Sequence, residues 1–60
     1  MFVKINGTQM VNMNQVIALT FDKDRIVRVY TVDGDDWTVE PQYSDKVRSA
    51  LAKLNFFYEK

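Results

Sequence analysis

Residues 26–40 read IVRVYTVDGDDWTVE, and this stretch decides the fold because two strand-like runs flank a turn. The first run, 26–32, is β-branched and aromatic, which is typical of a strand. Asp33-Gly34 follows, and glycine readily adopts the positive φ that tight hairpin turns require. The stretch therefore predicts antiparallel strands at 26–32 and 36–40.

Two registers are open for this hairpin. A three-residue loop with a glycine bulge sets Val29 opposite Trp37 and makes one continuous apolar face. A two-residue loop sets Tyr30 opposite Trp37 and Arg28 opposite Val39. We prefer the first register because it buries more apolar surface.

The turn carries three aspartates, Asp33, Asp35 and Asp36, which raise the alternative of a cation-binding loop. A calcium loop of the EF-hand kind needs ligands at alternating positions and a bidentate glutamate, all between two helices. The sequence DGDDWTVE lacks that spacing and lies between predicted strands. The turn is the favoured interpretation, and no metal site is predicted; weak adventitious cation binding is the alternative.

Two further runs precede this hairpin. Asn6-Gly7 lies between FVKI and TQMV, which predicts a hairpin with strands at 2–5 and 8–12. The following run, VNMNQVIALTF, alternates and predicts a strand at 15–22. Segments 8–12 and 15–22 are either two strands or one bent strand.

The C-terminal third is predicted to be helical. Pro41 ends the sheet because it has no N–H for the ladder. Ser44 is predicted to be the N-cap of a helix over 44–55. An apolar stripe at helical spacing would pack on the sheet, formed by Val47, Ala50, Leu51 and Leu54. The predicted fold class is α+β: a four-stranded antiparallel β-meander with one C-terminal helix, ββββα, in a single domain 1–60.

One short helix covers only one side of a sheet, so strand alternation defines a covered and an uncovered face. The covered face is predicted to hold Val3, Ile5, Ile17, Leu19, Phe21, Val27, Val29, Trp37 and Val39. The uncovered face is predicted to hold apolar residues interleaved with polar ones: Phe2, Val16, Ala18, Ile26 and Tyr30 with Lys4, Arg28, Thr38 and Glu40. An apolar patch of this kind indicates a partner.

The tail, 56–60, reads FFYEK, and three consecutive aromatics cannot all enter one small core. Either one or two of them complete the core of the monomer, or they anchor a partner. The candidate interaction residues are therefore Phe2, Ile26, Arg28, Tyr30, Phe56, Phe57 and Tyr58.

The composition excludes most kinds of catalytic and metal-binding site. The 60 residues contain no cysteine and no histidine, which excludes disulfides, thiolate zinc sites and the commonest general base. No phosphate-binding glycine loop occurs, so we expect no cofactor and no enzymatic activity. A domain of this size is marginally stable alone, and a homo-oligomer, with a dimer as the first choice, is the remaining route to stability.

Charge is balanced, with eight basic and eight acidic side chains, which argues against nucleic acid as the main partner. The alternative function is nevertheless a nucleic-acid-binding regulator, which would use a sheet face or the helix cations: Lys4, Arg25, Arg28 and Tyr30, or Lys46, Arg48 and Lys53. No long apolar run or signal peptide is present, so we expect a cytoplasmic protein with no membrane partner.

With the strands placed, the runs NGTQMVNMNQVIALTF and IVRVYTVDGDDWTVE and the helical segment resemble the small FlbD/SwrD-type proteins of flagellar and swarming systems. The layout is also similar to that of the LytTR DNA-binding domains, which are longer and more basic. The FFYEK tail and the DGDD turn depart from the first family, so no functional residues are carried over.

The resemblance implies a small accessory or regulatory protein, and size alone favours an origin in a phage or mobile element. The leading functional hypothesis is a non-enzymatic interaction module that self-associates, or docks on a host or regulatory protein, through its apolar sheet face or its aromatic tail.

Overall fold

The computed structural model describes residues 1–56. The elements in chain order are β1 Phe2–Lys4, β2 Met10–Asn12, β3 Val16–Asp22, β4 Arg25–Thr31, β5 Asp36–Thr38 and α1 Ser44–Lys53. Short 3-10 helices precede β3 and α1, at Met13–Gln15 and Pro41–Tyr43. Strands β1 and β2 form one antiparallel sheet, and β3, β4 and β5 form a second. The predicted α+β class with a C-terminal helix is confirmed, whereas the single four-stranded meander is wrong.

The two sheets arise because the chain does not continue straight from β2 into β3. The side chain of Asn12 accepts a hydrogen bond from the Asn14 N–H at 3.1 Å, which starts the 3-10 helix. Such local bonds compete with extended structure. Met13, the first residue of this 3-10 helix, is buried in the core. The bent-strand alternative is therefore wrong, and β2 and β3 lie in different sheets.

The hairpin between β4 and β5 has the preferred register. Val29 pairs with Trp37, and the Thr31 N–H donates to the Asp35 carbonyl at 3.0 Å. Gly34 has φ +92°, the positive angle that the three-residue loop needs. The turn interpretation of the DGDD segment is confirmed.

An irregularity on β4 changes which of its side chains are buried. Thr20 pairs with Arg28, but Phe21 pairs with Ile26, so Val27 is an extra residue on β4. An extra residue reverses the alternation beyond it. Ile26 consequently points into the core with 0% exposure. The prediction that Ile26 lies on the uncovered face is wrong for this reason.

A second irregularity lies on β3. Val16 pairs with Thr31 and Ala18 pairs with Tyr30, so Ile17 is the extra residue. Val16 is buried, whereas Ile17 is 60% exposed. The predicted assignment of these two side chains to the two faces is therefore reversed by the bulge.

The start of α1 differs from the prediction. The 3-10 helix Pro41–Tyr43 leads directly into α1, and Ser44 is its first residue rather than its N-cap. The Ser44 hydroxyl instead accepts a hydrogen bond from the buried N–H of Ile26 at 2.9 Å. This bond ties the helix start to the bulged part of β4.

The end of α1 is also earlier than predicted, at Lys53 rather than residue 55. Asn55 adopts φ +58°, and its N–H donates to the Ala52 carbonyl at 3.0 Å. The Phe56 N–H donates to the Leu51 carbonyl at 3.0 Å. This pair of bonds is the Schellman motif, in which asparagine can replace the usual glycine.

Helix α1 and both sheets enclose one core. Its buried apolar side chains are Ile5, Val11, Met13, Val16, Ile26, Val29, Val39, Val47, Ala50 and Leu51. The Glu40 N–H donates to the Ile5 carbonyl at 2.9 Å and so joins the segment after β5 to the segment after β1. Across residues 1–56, no helix has both the length and the apolar character needed to cross a membrane.

Candidate functional site

The outer face of the three-stranded sheet brings together two of the predicted interaction residues, Arg28 and Tyr30. They are two residues apart on β4, and both are half-buried. Arg28 Nη1 lies 2.6 Å from Asp36 Oδ1 on β5. This face is polar, because Val16 and Ile26, which were predicted to lie on it, are in the core.

The other predicted interaction residues are dispersed. Phe2 lies on β1, in the other sheet, and is 65% exposed. Phe56 is half-buried and packs against the core. Its position agrees with the interpretation that one aromatic of the tail completes the monomer. Phe57 and Tyr58 lie outside the described residues.

Within residues 1–56, β3 is the longest strand with an open edge, because it has seven residues and pairs with β4 alone. The Val39 N–H donates to the Val27 carbonyl and the Thr31 N–H to the Asp35 carbonyl, so alternate residues of β4 face β5. Val29, midway between Val27 and Thr31, therefore also faces β5.

Leu19 lies opposite Val29 on β3. Because Val29 directs its N–H and C=O to β5, this pair exchanges no hydrogen bonds. Leu19 therefore directs its own N–H and C=O away from β4, toward the open edge. An edge of this kind is a template for another strand.

Two large apolar side chains are exposed along the same strand. Ile17 is 60% exposed and Phe21 is 46% exposed. The strand reads VIALTFD, without the lysine or proline that commonly protects a free edge. One side of the Phe21 ring is covered by the Arg48 guanidinium, 5.4 Å from the ring centroid. Arg48 also donates a hydrogen bond to the Asp24 carbonyl, which holds it there.

Sequence reasoning missed this edge because strand alternation assigned Ile17 and Phe21 to the core. The signal that could have found it is the absence of protecting charges from residues 16–21. That signal says nothing about which strand is at the edge, since strand order depends on contacts between distant parts of the chain.

A second feature is an open groove of about 540 Å³ between the β1–β2 sheet and α1. Phe2 and Met10 line it from the sheet, and Lys46 and Lys53 line it from the helix. Lys4 pairs with Met10 across the sheet and lies in the same groove. The groove therefore combines exposed apolar surface with three lysines.

The acidic turn shows a structural role for Asp33. Thr31 Oγ1 donates to Asp33 Oδ1 at 2.7 Å, and this bond holds the pKa of the Asp33 carboxyl below its usual value. Within the described part of the chain, no three carboxylates lie close enough together to hold a metal ion.

Comparison with protein-family models, curated proteins and solved structures finds no match to this chain. The resemblance to FlbD/SwrD-type proteins therefore stays a prediction.

Proposed function

We propose that this chain is a non-catalytic protein-interaction module that works as a homodimer, in which the β3 edges of two copies pair antiparallel. The observation that carries this proposal is the combination of an open β3 edge with the exposed side chains of Ile17 and Phe21. An accessory role, which the resemblance to FlbD/SwrD-type proteins implies, agrees with such a module.

The sequence of β3 is complementary to itself. Antiparallel pairing centred on Leu19 sets Ile17 opposite Phe21 of the second copy, and the reverse. Aromatic and β-branched side chains make favourable cross-strand pairs, worth about 0.2–1 kcal/mol each. Only Asp22 is charged in β3, and this register sets it opposite Val16 rather than another carboxylate. The pairing would bury the two exposed apolar side chains of each copy and satisfy the backbone groups of the edge.

The proposed self-interface is the edge of the sheet, whereas the sequence predicted the apolar sheet face or the aromatic tail. Arg28 and Asp36 form an ion pair on the face, and a polar face of this kind gives little drive for association. The alternative, nucleic-acid binding by the same face, has weaker support. Arg25 and Arg28 lie 3.7 Å and 2.6 Å from the carboxylates of Asp22 and Asp36, so their charges are already partnered.

The test is the solution mass by light scattering over a concentration series, for the wild type and two lysine variants. Ile17→Lys puts a charge on the edge, and we expect it to shift the dimer to monomer. Val32→Lys is the matched control, since Val32 is 58% exposed and lies outside β3. We expect it to keep the mass of the wild type.

A wild type that stays monomeric at every concentration would contradict the proposal. So would a dimer that persists in Ile17→Lys, because the interface would then lie elsewhere. Circular dichroism of both variants shows whether each remains folded.

A further inference from the structure

The groove between the β1–β2 sheet and α1 has an apolar floor. Phe2 is 65% exposed there, although it lies in a strand that buries Val3 more deeply. Met10 and Ala50 line the same groove. Methionine adapts its shape to different partners and is common at peptide-binding surfaces.

The rim of the groove is positively charged. Lys46 and Lys53 are seven residues apart, so they lie on one face of α1 about 10 Å apart along its axis. Lys4 reaches the groove from β1. Within residues 1–56, none of these three ammonium groups is paired with a carboxylate.

Three acidic side chains line a different surface. Asp22, Asp24 and Asp45 line an open pocket of about 480 Å³ at the β3–β4 turn and the start of α1. The chain has no net charge, yet every charged side chain among the described residues that line the groove is positive. This local excess selects an anionic partner.

We propose that the groove binds an acidic amphipathic peptide segment of a partner protein. The concave shape fits a segment that inserts a bulky apolar side chain against Phe2 and Met10. Carboxylates on either side of that side chain would then meet Lys46 and Lys53. Helix-in-groove recognition places the apolar side chains of an amphipathic helix, one or two turns apart, in a hydrophobic groove. This surface is separate from the β3 edge, so it extends the proposed interaction function without needing the dimer.

The test uses a fluorescein-labelled helical peptide of about 15 residues, with leucines on one face and two glutamates seven residues apart. Fluorescence anisotropy measures its binding to the wild type and three variants. We expect Lys46→Glu and Phe2→Ser each to weaken binding by about tenfold, because one removes charge attraction and the other removes the apolar contact.

Lys23→Glu is the matched charge control, since Lys23 is exposed at the β3–β4 turn and lines the acidic pocket instead. We expect it to bind the peptide like the wild type. A matched peptide with glutamine in place of both glutamates should bind about tenfold more weakly. Thermal unfolding of each variant shows whether a loss of binding reflects a loss of fold.

Several results would overturn the proposal. The absence of saturable binding up to about 1 mM peptide is one, and equal binding of the glutamine peptide is another. Tighter binding of a single-stranded oligonucleotide than of the peptide, lost in Lys46→Glu, would assign the lysines to nucleic acid instead. Binding to phosphatidylserine vesicles without peptide binding would assign them to a lipid surface.

The Ile17→Lys variant separates this proposal from the dimer. We expect it to bind the peptide with unchanged affinity, since Ile17 lies outside the groove. Loss of peptide binding in a folded Ile17→Lys variant would overturn the assignment to this groove. Peptide binding by a wild type that proves monomeric would support the groove and contradict the dimer.

Discussion

Ser44 shows how a single hydroxyl can compensate for an irregular strand. The bulge at Val27 turns the Ile26 N–H away from the regular ladder, and Ser44 Oγ accepts its hydrogen bond at 2.9 Å. Both residues are buried, so water cannot replace the acceptor. The residue predicted to cap a helix therefore contributes to the core.

We predict that Ser44→Ala lowers the free energy of unfolding by about 1–3 kcal/mol, because it leaves a buried N–H without a partner. Urea denaturation followed by Trp37 fluorescence measures the change. Ser49→Ala is the matched control on the exposed side of α1, and we expect it to change stability by less than about 0.5 kcal/mol. Equal effects of the two substitutions would show that the Ser44 bond contributes nothing.

The hydrogen bond to Asp33 predicts that the stability of the protein depends on pH. Its carboxylate accepts the Thr31 hydroxyl bond, which lowers the pKa of Asp33 in the folded state. A folded pKa below the unfolded one means that the bond stabilises the protein above the usual value of 3.8, and that this contribution is lost as pH falls through the folded pKa.

We predict that Thr31→Val raises the pKa of Asp33 toward 3.8, because it removes the largest cause of the shift. An NMR titration of the Asp33 carboxyl carbon measures this. Thr38→Val on β5 is the control, and we expect it to leave the pKa of Asp33 where it is in the wild type. An unchanged pKa in a folded Thr31→Val variant would rule out the hydroxyl as the cause.

At the scale of the elements, turn signals and alternation together predicted the β4–β5 hairpin. The Asp33-Gly34 turn located the hairpin but left two registers open, and the continuous apolar face of the first register selected the pairing of Val29 with Trp37. The positions of the strands and of α1 also followed from composition and periodicity. The separation into two sheets did not, because the side-chain bond of Asn12 competes with strand structure at the end of β2.

The bulges explain why the predicted faces of the sheet differ from the structure. One extra residue at Ile17 and another at Val27 reverse which side chains are buried. Ile26 consequently lies in the core rather than on the outer face, and the exposure of Ile17 was missed. Bulges depend on how a strand fits its neighbours and the helix, which a single sequence does not reveal.

Hydrogen exchange of the backbone amides can test the proposed pairing of β3 edges. In a dimer paired through β3, the outward N–H of Leu19 is hydrogen-bonded to the second copy, so its exchange with solvent slows. We predict strong protection of Leu19 in the wild type and its loss in Ile17→Lys, measured by NMR hydrogen exchange. Thr20 is the internal control, because it pairs with Arg28 and faces β4 in both proteins. Rapid exchange of Leu19 in the wild type would contradict the pairing.

At the scale of the whole molecule, 60 residues provide a small core. A domain of this length buries only about 60% of the surface of its unfolded chain, so its stability is small without further contacts. Cysteine is absent, and disulfides therefore contribute nothing. In the proposed dimer, a second copy would bury Ile17 and Phe21 at β3 and so add to the stability of the fold without enlarging the chain.

We predict that the melting temperature of the wild type depends on protein concentration. If the dimer is more stable than the monomer, mass action raises the melting temperature of the wild type as protein concentration rises. We expect Ile17→Lys to melt at one temperature, independent of concentration, since it cannot form the β3 pair. Val32→Lys should follow the wild type. Calorimetry over about a hundredfold range of concentration makes the comparison, because each tenfold increase in concentration shifts the free-energy balance toward the dimer by about 1.4 kcal/mol. A wild-type melting temperature that stays constant over this range would show that the monomer core is sufficient, and that the β3 edge has another role.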